Sequence, residues 1–565
     1  MPLPRSLLTS TPADELDLVL ASGTWPDELD GEIFVAAGDL SSVSGHAFFG
    51  DGLVRRLSLR PGRHGASTER FALRSAVIDT PSRRLRELRP EVFESRAFGT
   101  SSPFGYSNAA NTAPLPWGDR LFATWDAGRP VEVDPVGLGF LGEVGDRRSW
   151  GPDAFDSAVL PMYPSSAHPV IDHERGCLWT VLSDPITRAL HVIRWDGTST
   201  EVRRWPLAGA ELPQSMHTVA QTRDWLVLID CAFRVDPDEL LGLGERRLTT
   251  FTDEPIFLVR KEALEAAAHG TPVEPIELRT GPETNHHFAV WDDSDGIRLV
   301  LEHTVDTDLA MYVRPGDLDA LGEPVDPALH GLYNHPMHHG VIREVRIDPD
   351  ARTLSTEAVY EDPERAYATQ LSAMDWSAEG VAAPVAHHML FTGYRPEAIT
   401  QRALALYLDR VDPQRFPREE TPSYLVTLAR GGLQAKASHT FALDDYATSP
   451  CFVPRRPGGE GRTRYAPAEP GGLDGWVVVP VCNDDGFRVE VFDAGDVSHG
   501  PVATLRTPHG ETMPFLVHSA WMPAAVPADR WIERLRFADD LDPDKVASLP
   551  DDLAAAVRQV ADELG

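Results

Sequence analysis

From about residue 30 to about 520 this 565-residue chain repeats one pattern: short strand, turn, short strand, with no long amphipathic helix between them. Runs rich in β-branched and aromatic residues predict strands at 121–125, 177–182, 191–195, 225–229, 256–260 and 298–303. Further runs follow at 341–347, 388–394, 424–428, 476–481 and 487–492. Turn dipeptides such as Asp196-Gly197, Asp295-Gly296 and Asp485-Gly486 punctuate them. Many short strands at even spacing restrict the chain to an all-β barrel, sandwich or propeller. At this length a propeller is the economical solution.

No crisp repeat of the common propeller kinds is visible, so the blades are expected to be irregular, with long loops on one face. Two loop regions are conspicuously apolar: 93–106, with Phe104 and Tyr106, and 150–163, with Phe155, Leu160, Met162 and Tyr163. They are expected either to wall an apolar substrate tunnel or to cap the propeller with small cores of their own. The propeller is assigned to residues 1–525 and a helical extension to 526–565. There Asp542-Pro543-Asp544 reads as a helix start, with proline in the first turn. Leu553, Val557, Val560 and Leu564 recur at helical spacing, as for a helix docked on the propeller rim.

A hydrophobic content of 42% indicates a globular chain with a sizeable core. Its formal charge of -34, with lysine only at 261, 436 and 545, argues against nucleic acid and anionic membranes as partners. No apolar run approaches the length of a transmembrane segment, and the first residues lack a signal-peptide core. A soluble cytoplasmic protein is expected, with at most weak peripheral membrane contact and with oligomeric state left open. Cys177, Cys231, Cys451 and Cys482 contain no Cys-x-x-Cys pair; reduced core thiols are expected over two disulfides.

Four histidines stand in distinct contexts, each beside a strand-like segment. They are His168 in Ser166-Ala167-His168-Pro169, His217 in Ser215-Met216-His217-Thr218, His286 in Asn285-His286-His287-Phe288, and His518 in Phe515-Leu516-Val517-His518. Four strands can each bring one imidazole to a common point, and neutral imidazole is a usual ligand for Fe, Zn or Cu.

These contexts, in this order, resemble the carotenoid cleavage oxygenases, which include apocarotenoid oxygenases, retinal isomerohydrolases and lignostilbene dioxygenases. The resemblance runs from about 30 to 522. It includes His46-Ala47-Phe48-Phe49-Gly50-Asp51-Gly52, Ala110-Asn111-Thr112-Ala113 and Glu132-Val133-Asp134-Pro135. It implies a seven-bladed β-propeller with a loop and helix cap over the metal face. It also implies Fe(II) held by His168, His217, His286 and His518. His286 is preferred over His287 by motif position, although Ala289 replaces the family's asparagine. The family's three outer glutamates, which accept hydrogen bonds from ligand imidazoles, fall on Asp126, Glu361 and Ser449. Asp126 is one methylene shorter and is expected to reach its imidazole only through water. Ser449 has no carboxylate, so the metal's reduction potential is expected to rise. Thr112 falls where some members place a threonine beside the open metal position. Trp125 replaces the lysine that engages the phenol in stilbene-cleaving members.

The implied reaction is cleavage of a carbon–carbon double bond of a small apolar polyene or aryl-alkene by O2, giving two carbonyl products. One alternative keeps the fold and changes the chemistry to an isomerohydrolase type. Another is a non-catalytic binding propeller with a vestigial metal site. A zinc hydrolase is a weaker third, because catalytic zinc usually takes three protein ligands. His338, His339, His387, His388 and His509 show no defensible ligand spacing and are read as structural or surface residues.

Overall fold

The computed structural model describes residues 3–8, 15–40, 46–63, 65, 69–94, 99–153, 155–184, 186–212, 214–231, 254–281, 284–303, 311–335, 338–368, 370–373, 383–407, 412, 417, 419–455, 472–514, 516–529 and 532–564. Phe515 and the side chain of His287 therefore lie outside the described residues.

Among the described residues, strands dominate and pair into five sequential four-stranded antiparallel sheets and one ten-stranded sheet. The first sheet comprises Ala113–Trp117, Arg120–Thr124, Val131–Val133 and Phe140–Glu143. The second comprises Val170–Asp172, Cys177–Ser183, Ala189–Trp195 and Arg203–Glu211. The third comprises Val219–Gln221, Trp225–Ile229, Glu254–Arg260 and Ile276–Thr280. The fourth comprises Thr284–Asp293, Gly296–His303, Val341–Asp348 and Thr353–Glu361. The fifth comprises Gln370–Ala373, Ala386–Phe391, Tyr424–Ala429 and Ala435–Thr440.

Apolar cores between successive sheets close them into a ring. Leu115 and Phe122 of the first sheet meet Ile171, Leu178 and Ile193 of the second. Trp179 and Val192 of the second meet Leu226 and Phe257 of the third. Val227 and Leu258 meet Leu299 and Val345 of the fourth, and Val300 and Ile342 meet Met389 and Val426 of the fifth. Leu390 and Leu425 then meet Val477 and Phe492 of the ten-stranded sheet, whose Phe34 and Val54 return to Leu121 and Val131. Each large side chain so buried contributes about 1.5–3 kcal/mol before entropy is set against it.

Among the described residues the expected seven blades appear as five separate four-stranded ones beside the ten-stranded sheet. The ten-stranded sheet folds one half, with Ile33, Leu53 and Leu73, over the other, with Val478, Val489 and Leu505, and buries a core between them. Strand Glu15–Gly23 joins the halves, pairing with Arg70–Val77 on one edge and Ala503–Arg506 on the other. An edge that would stand free between two blades is thereby paired. The expected strand at 388–394 runs instead over Ala386–Phe391, leaving Thr392 just beyond its end.

Helix Pro81–Leu88, capped by the Thr80 hydroxyl, and the short helix Glu91–Glu94 form a cap with the C-terminal segment. The helix start at Asp542-Pro543 is present, but Pro543–Ala547 is a separate turn before Asp551–Leu564. Leu553, Val557 and Val560 pack against Leu85, Phe93, Phe104, Val159 and Leu160. Around them Arg129 pairs with Asp540, Arg89 with Asp552 and Arg84 with Glu563. The tail thus shares a core with both apolar loops. No helix among the described residues is long and apolar enough to cross a membrane. All four cysteines are free and buried.

Candidate metal centre

His168, His217 and His286 belong to the opening strands of the second, third and fourth sheets. The first two stand two residues ahead of theirs, and the third lies within its strand. His518 stands directly before Ser519–Met522 of the ten-stranded sheet. Backbone pairing fixes the first two: His168 N donates to His217 O at 3.1 Å, and Val219 N donates to His168 O at 3.1 Å. Ser166 Oγ also donates to His217 O, at 2.8 Å. His518 is anchored through its neighbours, with Val517 N donating to Ala36 O and Ala36 N to His518 O.

One ring nitrogen from each of the four lies within 4.8 Å of the others, and the rings stand close to perpendicular. His168 and His518 are 4.4 Å apart between centroids, at 90°. Burial, reinforced by His286 and His217, pushes His518 well below the usual imidazole range, so its lone pair is kept.

Two carboxylates fix the tautomers of the central pair. His217 Nδ1 lies 2.9 and 3.0 Å from the two oxygens of Asp126, and His286 Nδ1 lies 2.9 Å from Glu302 Oε2. An ionised carboxylate only accepts, so both Nδ1 atoms carry the proton and both Nε2 atoms carry a lone pair. Those two Nε2 atoms face each other at 3.1 Å. Facing lone pairs repel unless a cation sits beside both. Two nitrogens bound at about 2.1 Å and at right angles would be about 3.0 Å apart. The donor set therefore fits a transition-metal ion of the kind that imidazole favours.

Asp126 reaches its imidazole directly, not through water. It follows strand Arg120–Thr124, and its loop is stitched to residues before His168. Ser165 N donates to Asp126 O, and Ala167 N to Asp126 Oδ1. The short side chain suffices because the backbone has been carried to the site. Glu361 does not touch any of the four rings. It ends the outermost strand of the fourth sheet, its side chain is 58% exposed, and its partner is His339 Nε2 at 3.4 Å. Glu302 takes the place expected for it, on the strand directly beside that of His286. A glutamate inside the apolar run Leu299-Val300-Leu301-Glu302 was the sequence signal for it. Ser449 lies beside His518 but turns to the backbone, its Oγ donating to Val517 O at 3.0 Å.

Next to the rings is a cavity of about 50 Å³ with almost wholly apolar walls, space for a few water-sized molecules. Phe48, Thr112, Trp125, Tyr333, Leu371 and Thr392 are among its lining residues. Thr112 and Trp125 thus stand at the site, Thr112 with its hydroxyl 3.2 Å from Asn111 Oδ1. Asn111 Nδ2 donates to Phe48 O and Gly50 O. A Cβ on Gly52 would lie 2.3 Å from Ala110 O, so the His46–Gly52 segment approaches the Ala110–Thr112 segment only with glycine there. Tyr106 stacks behind Trp125 at 5.9 Å, and Phe155 packs on that cluster. Phe104 and Tyr163 are not at the cavity: Phe104 packs with the C-terminal helix, and Tyr163 stacks on Trp150. Phe48, Tyr333, Leu371 and Thr392 had not been anticipated as lining residues.

The sequence profile of the family described as retinal pigment epithelial membrane protein matches residues 5–523. The chain belongs to that family, the carotenoid oxygenases. Apocarotenoid-15,15'-oxygenase of Synechocystis sp. is 22% identical over 524 residues, 88% of this chain and 91% of that protein. Rice carotenoid cleavage dioxygenase 7 is 28% identical over 139 residues, 23% of each chain. Among solved structures, a lignostilbene dioxygenase of Pseudomonas brassicacearum superposes with a TM-score of 0.62 at 17% identity, covering 93% of this chain and 100% of that one. A cobalt-substituted form of the Synechocystis oxygenase gives 0.58 at 20% identity, covering 92% and 98%. Membership in the carotenoid oxygenase family supports the propeller architecture.

Proposed function

We propose that this chain is a non-haem Fe(II) dioxygenase that cleaves a carbon–carbon double bond of an apolar polyene or aryl-alkene. The observation carrying this reading is the pair of Nε2 lone pairs 3.1 Å apart, held there by Asp126 and Glu302 and flanked by two further buried imidazoles. His168, His217, His286 and His518 would hold the metal. Bound iron(II) would supply the activation of O2 that puts one oxygen atom on each carbonyl product.

The protein's own residues do the rest. Asp126 and Glu302 keep each Nδ1 proton in place and so keep Nε2 available and aimed. Phe48, Trp125, Leu371 and Leu516 give the alkene an apolar surface beside the cluster and exclude water, and Thr112 stands among them. Trp125, where stilbene-cleaving relatives carry lysine, favours a substrate without a phenolate. No acid–base dyad is required, because the reaction needs no proton transfer to begin.

The absence of a carboxylate at Ser449 favours a second reading, the same site with non-cleaving, isomerohydrolase-type chemistry. Both are tested by O2 uptake with anaerobically purified, Fe(II)-loaded protein on apocarotenals, stilbenes and propenylphenols, with His217→Ala as control. Uptake with aldehyde formation, lost in the variant, supports cleavage. Stoichiometric iron with substrate isomers and no uptake supports the second reading. Failure to bind metal at all rejects both.

A further inference from the structure

The strands that follow His168 and His217 belong to different sheets, and among the described residues their backbones pair at a single bridge. His168 and Thr218 form it in parallel, through His168 N to His217 O and Val219 N to His168 O. Side chains take over at the far ends of Val170–Asp172 and Val219–Gln221. Gln221 Nε2 donates to Ile171 O at 2.8 Å. Lys261 Nζ donates to Asp172 Oδ2 at 2.7 Å, to Gln221 Oε1 at 2.8 Å and to Thr222 O at 2.8 Å.

An ammonium owns three donors and no acceptor, so these bonds satisfy Lys261 completely. Asp172 ends a strand of the second sheet and Gln221 one of the third, so a single buried cation clasps both. Lys261 is itself fixed: it follows strand Glu254–Arg260, opens helix Lys261–Ala266, and its N donates to Asp224 O at 3.0 Å. The other two lysines, Lys436 and Lys545, are not buried, and arginine serves elsewhere. Here three acceptors surround one point, which suits a compact ammonium and not a planar guanidinium.

His168 and Asp172 are four residues apart, and so are His217 and Gln221. At about 3.3 Å per residue the clasp lies roughly 13 Å along the strands from the ligand rings. One bridge alone would be a pivot between two strands of separate sheets. A second tie at that distance fixes their register and their angle together.

We infer that Lys261 is a positioning residue of the metal centre. It locks Val170–Asp172 against Val219–Gln221 and so sets where His168 stands relative to His217. This rests on the metal-binding reading of the same histidines and adds how their strands are held in register. Asp126 acts on the His217 ring directly, whereas Lys261 acts on both histidines through their backbones.

The test uses the full-length protein loaded with Co(II), whose visible absorption bands report ligand geometry. Competition with a chelating dye reports affinity. Lys261→Met keeps the length of the side chain and removes the ammonium. Arg175 still attends the carboxylate, donating from N to Asp172 Oδ1 at 2.9 Å and from Nη1 to Oδ2 at 3.3 Å. Affinity should fall about tenfold, as for other lost outer partners of metal ligands, and the bands should shift. Gln221→Met leaves the buried ion pair whole and should move both readouts the same way, which covers the case of Lys261→Met failing to fold. Arg120→Met controls for stability: it breaks a 2.8 Å ion pair with Glu132 in the first sheet. It should lower the thermal midpoint and leave bands and affinity as in wild type. Wild-type bands and affinity in the Lys261 and Gln221 variants, or equal shifts in Arg120→Met, overturn the inference and leave the metal reading standing. Wild-type protein that binds no Co(II) overturns the metal reading, and the inference with it.

Discussion

His286 Nδ1 and Glu302 Oε2 are 2.9 Å apart on adjacent strands of one sheet, and the glutamate is wholly withdrawn from solvent. A buried carboxylate in that position does two things: it fixes which ring nitrogen carries the proton, and it makes the other a better donor. Glu302→Gln keeps the shape and removes the charge. Metal affinity, measured by competition with a chelating dye, should fall by about 10–100-fold. Asp126→Asn should do the same through His217. Glu361→Gln, at a side chain whose partner is His339, should leave affinity at the wild-type value; a loss equal to that of Glu302→Gln would reverse the assignment.

Ser449 is the position at which a third carboxylate is missing. Its hydroxyl donates to Val517 O, and Ser519 Oγ donates back to Ser449 O at 2.8 Å, so the segment bearing His518 is held by its backbone. Four neutral imidazoles carry no charge, so the carboxylates seen against the rings, Asp126 and Glu302, help to balance the metal. Ser449→Glu adds an anion and should lower the midpoint potential of the bound iron, as read by redox titration of the metal-loaded protein. A potential that stays fixed or rises would reject the electrostatic account. Ser449 has φ +48°, in the left-handed region, so the substitution also carries backbone strain and its fold should be checked by circular dichroism.

Much of this architecture was legible in the chain. Strands such as 225–229 and 298–303 were visible because alternating or continuous apolar runs between turn dipeptides have few other solutions. The four histidines were visible because each sits in a short, distinctive context next to such a strand. The partner of His286 was not, because register decides it. Irregularities in pairing at His287 shift which residue faces Glu302, and a strand period alone cannot locate them. The joining of two blade positions by Glu15–Gly23 was hidden for a similar reason: that strand pairs with residues nearly 500 positions away.

Three buried histidines outside the cluster set an acid limit on the fold. Burial pushes His387 and His388 down to about 4 and His335 to about 3, from an ordinary 6.5. In the unfolded chain all three take up protons as pH falls through 6.5, whereas the folded chain cannot until about 4. The stability they allow is fully present above 6.5 and is lost as pH falls towards the folded values. Each costs about 1.4 kcal/mol per pH unit inside that window. Urea unfolding midpoints should therefore drop between pH 6.5 and 5, before most carboxylates titrate. His387→Phe should make the slope shallower by about one proton; an unchanged slope would mean that His387 is already protonated in the fold.

Arg129 and Asp540 join the first sheet to the C-terminal segment through a contact of 2.7 Å between groups that are both nearly inaccessible to solvent. Burial alone would lower the Arg129 pKa, but the Asp540 and Glu143 carboxylates hold it above its ordinary value. Asp540 also accepts from Arg147 N at 2.7 Å, so one side chain satisfies a buried cation and a backbone donor at once. Removing one partner of such a pair leaves a buried charge undercompensated and costs about 3–5 kcal/mol. Asp540→Ala should therefore lower the thermal midpoint. It should also speed amide exchange in Asp551–Leu564 and in the helix Pro81–Leu88 that packs on it, before exchange rises in the five four-stranded sheets. Those helices share a core with Phe104 and Leu160, and Leu160 O accepts from Tyr106 N at 2.9 Å. Tyr106 in turn backs Trp125 in the cavity wall, so loosening the tail should also broaden the tryptophan emission. If the tail were only an ornament on the rim, Asp540→Ala would leave midpoint, exchange and emission alike unchanged.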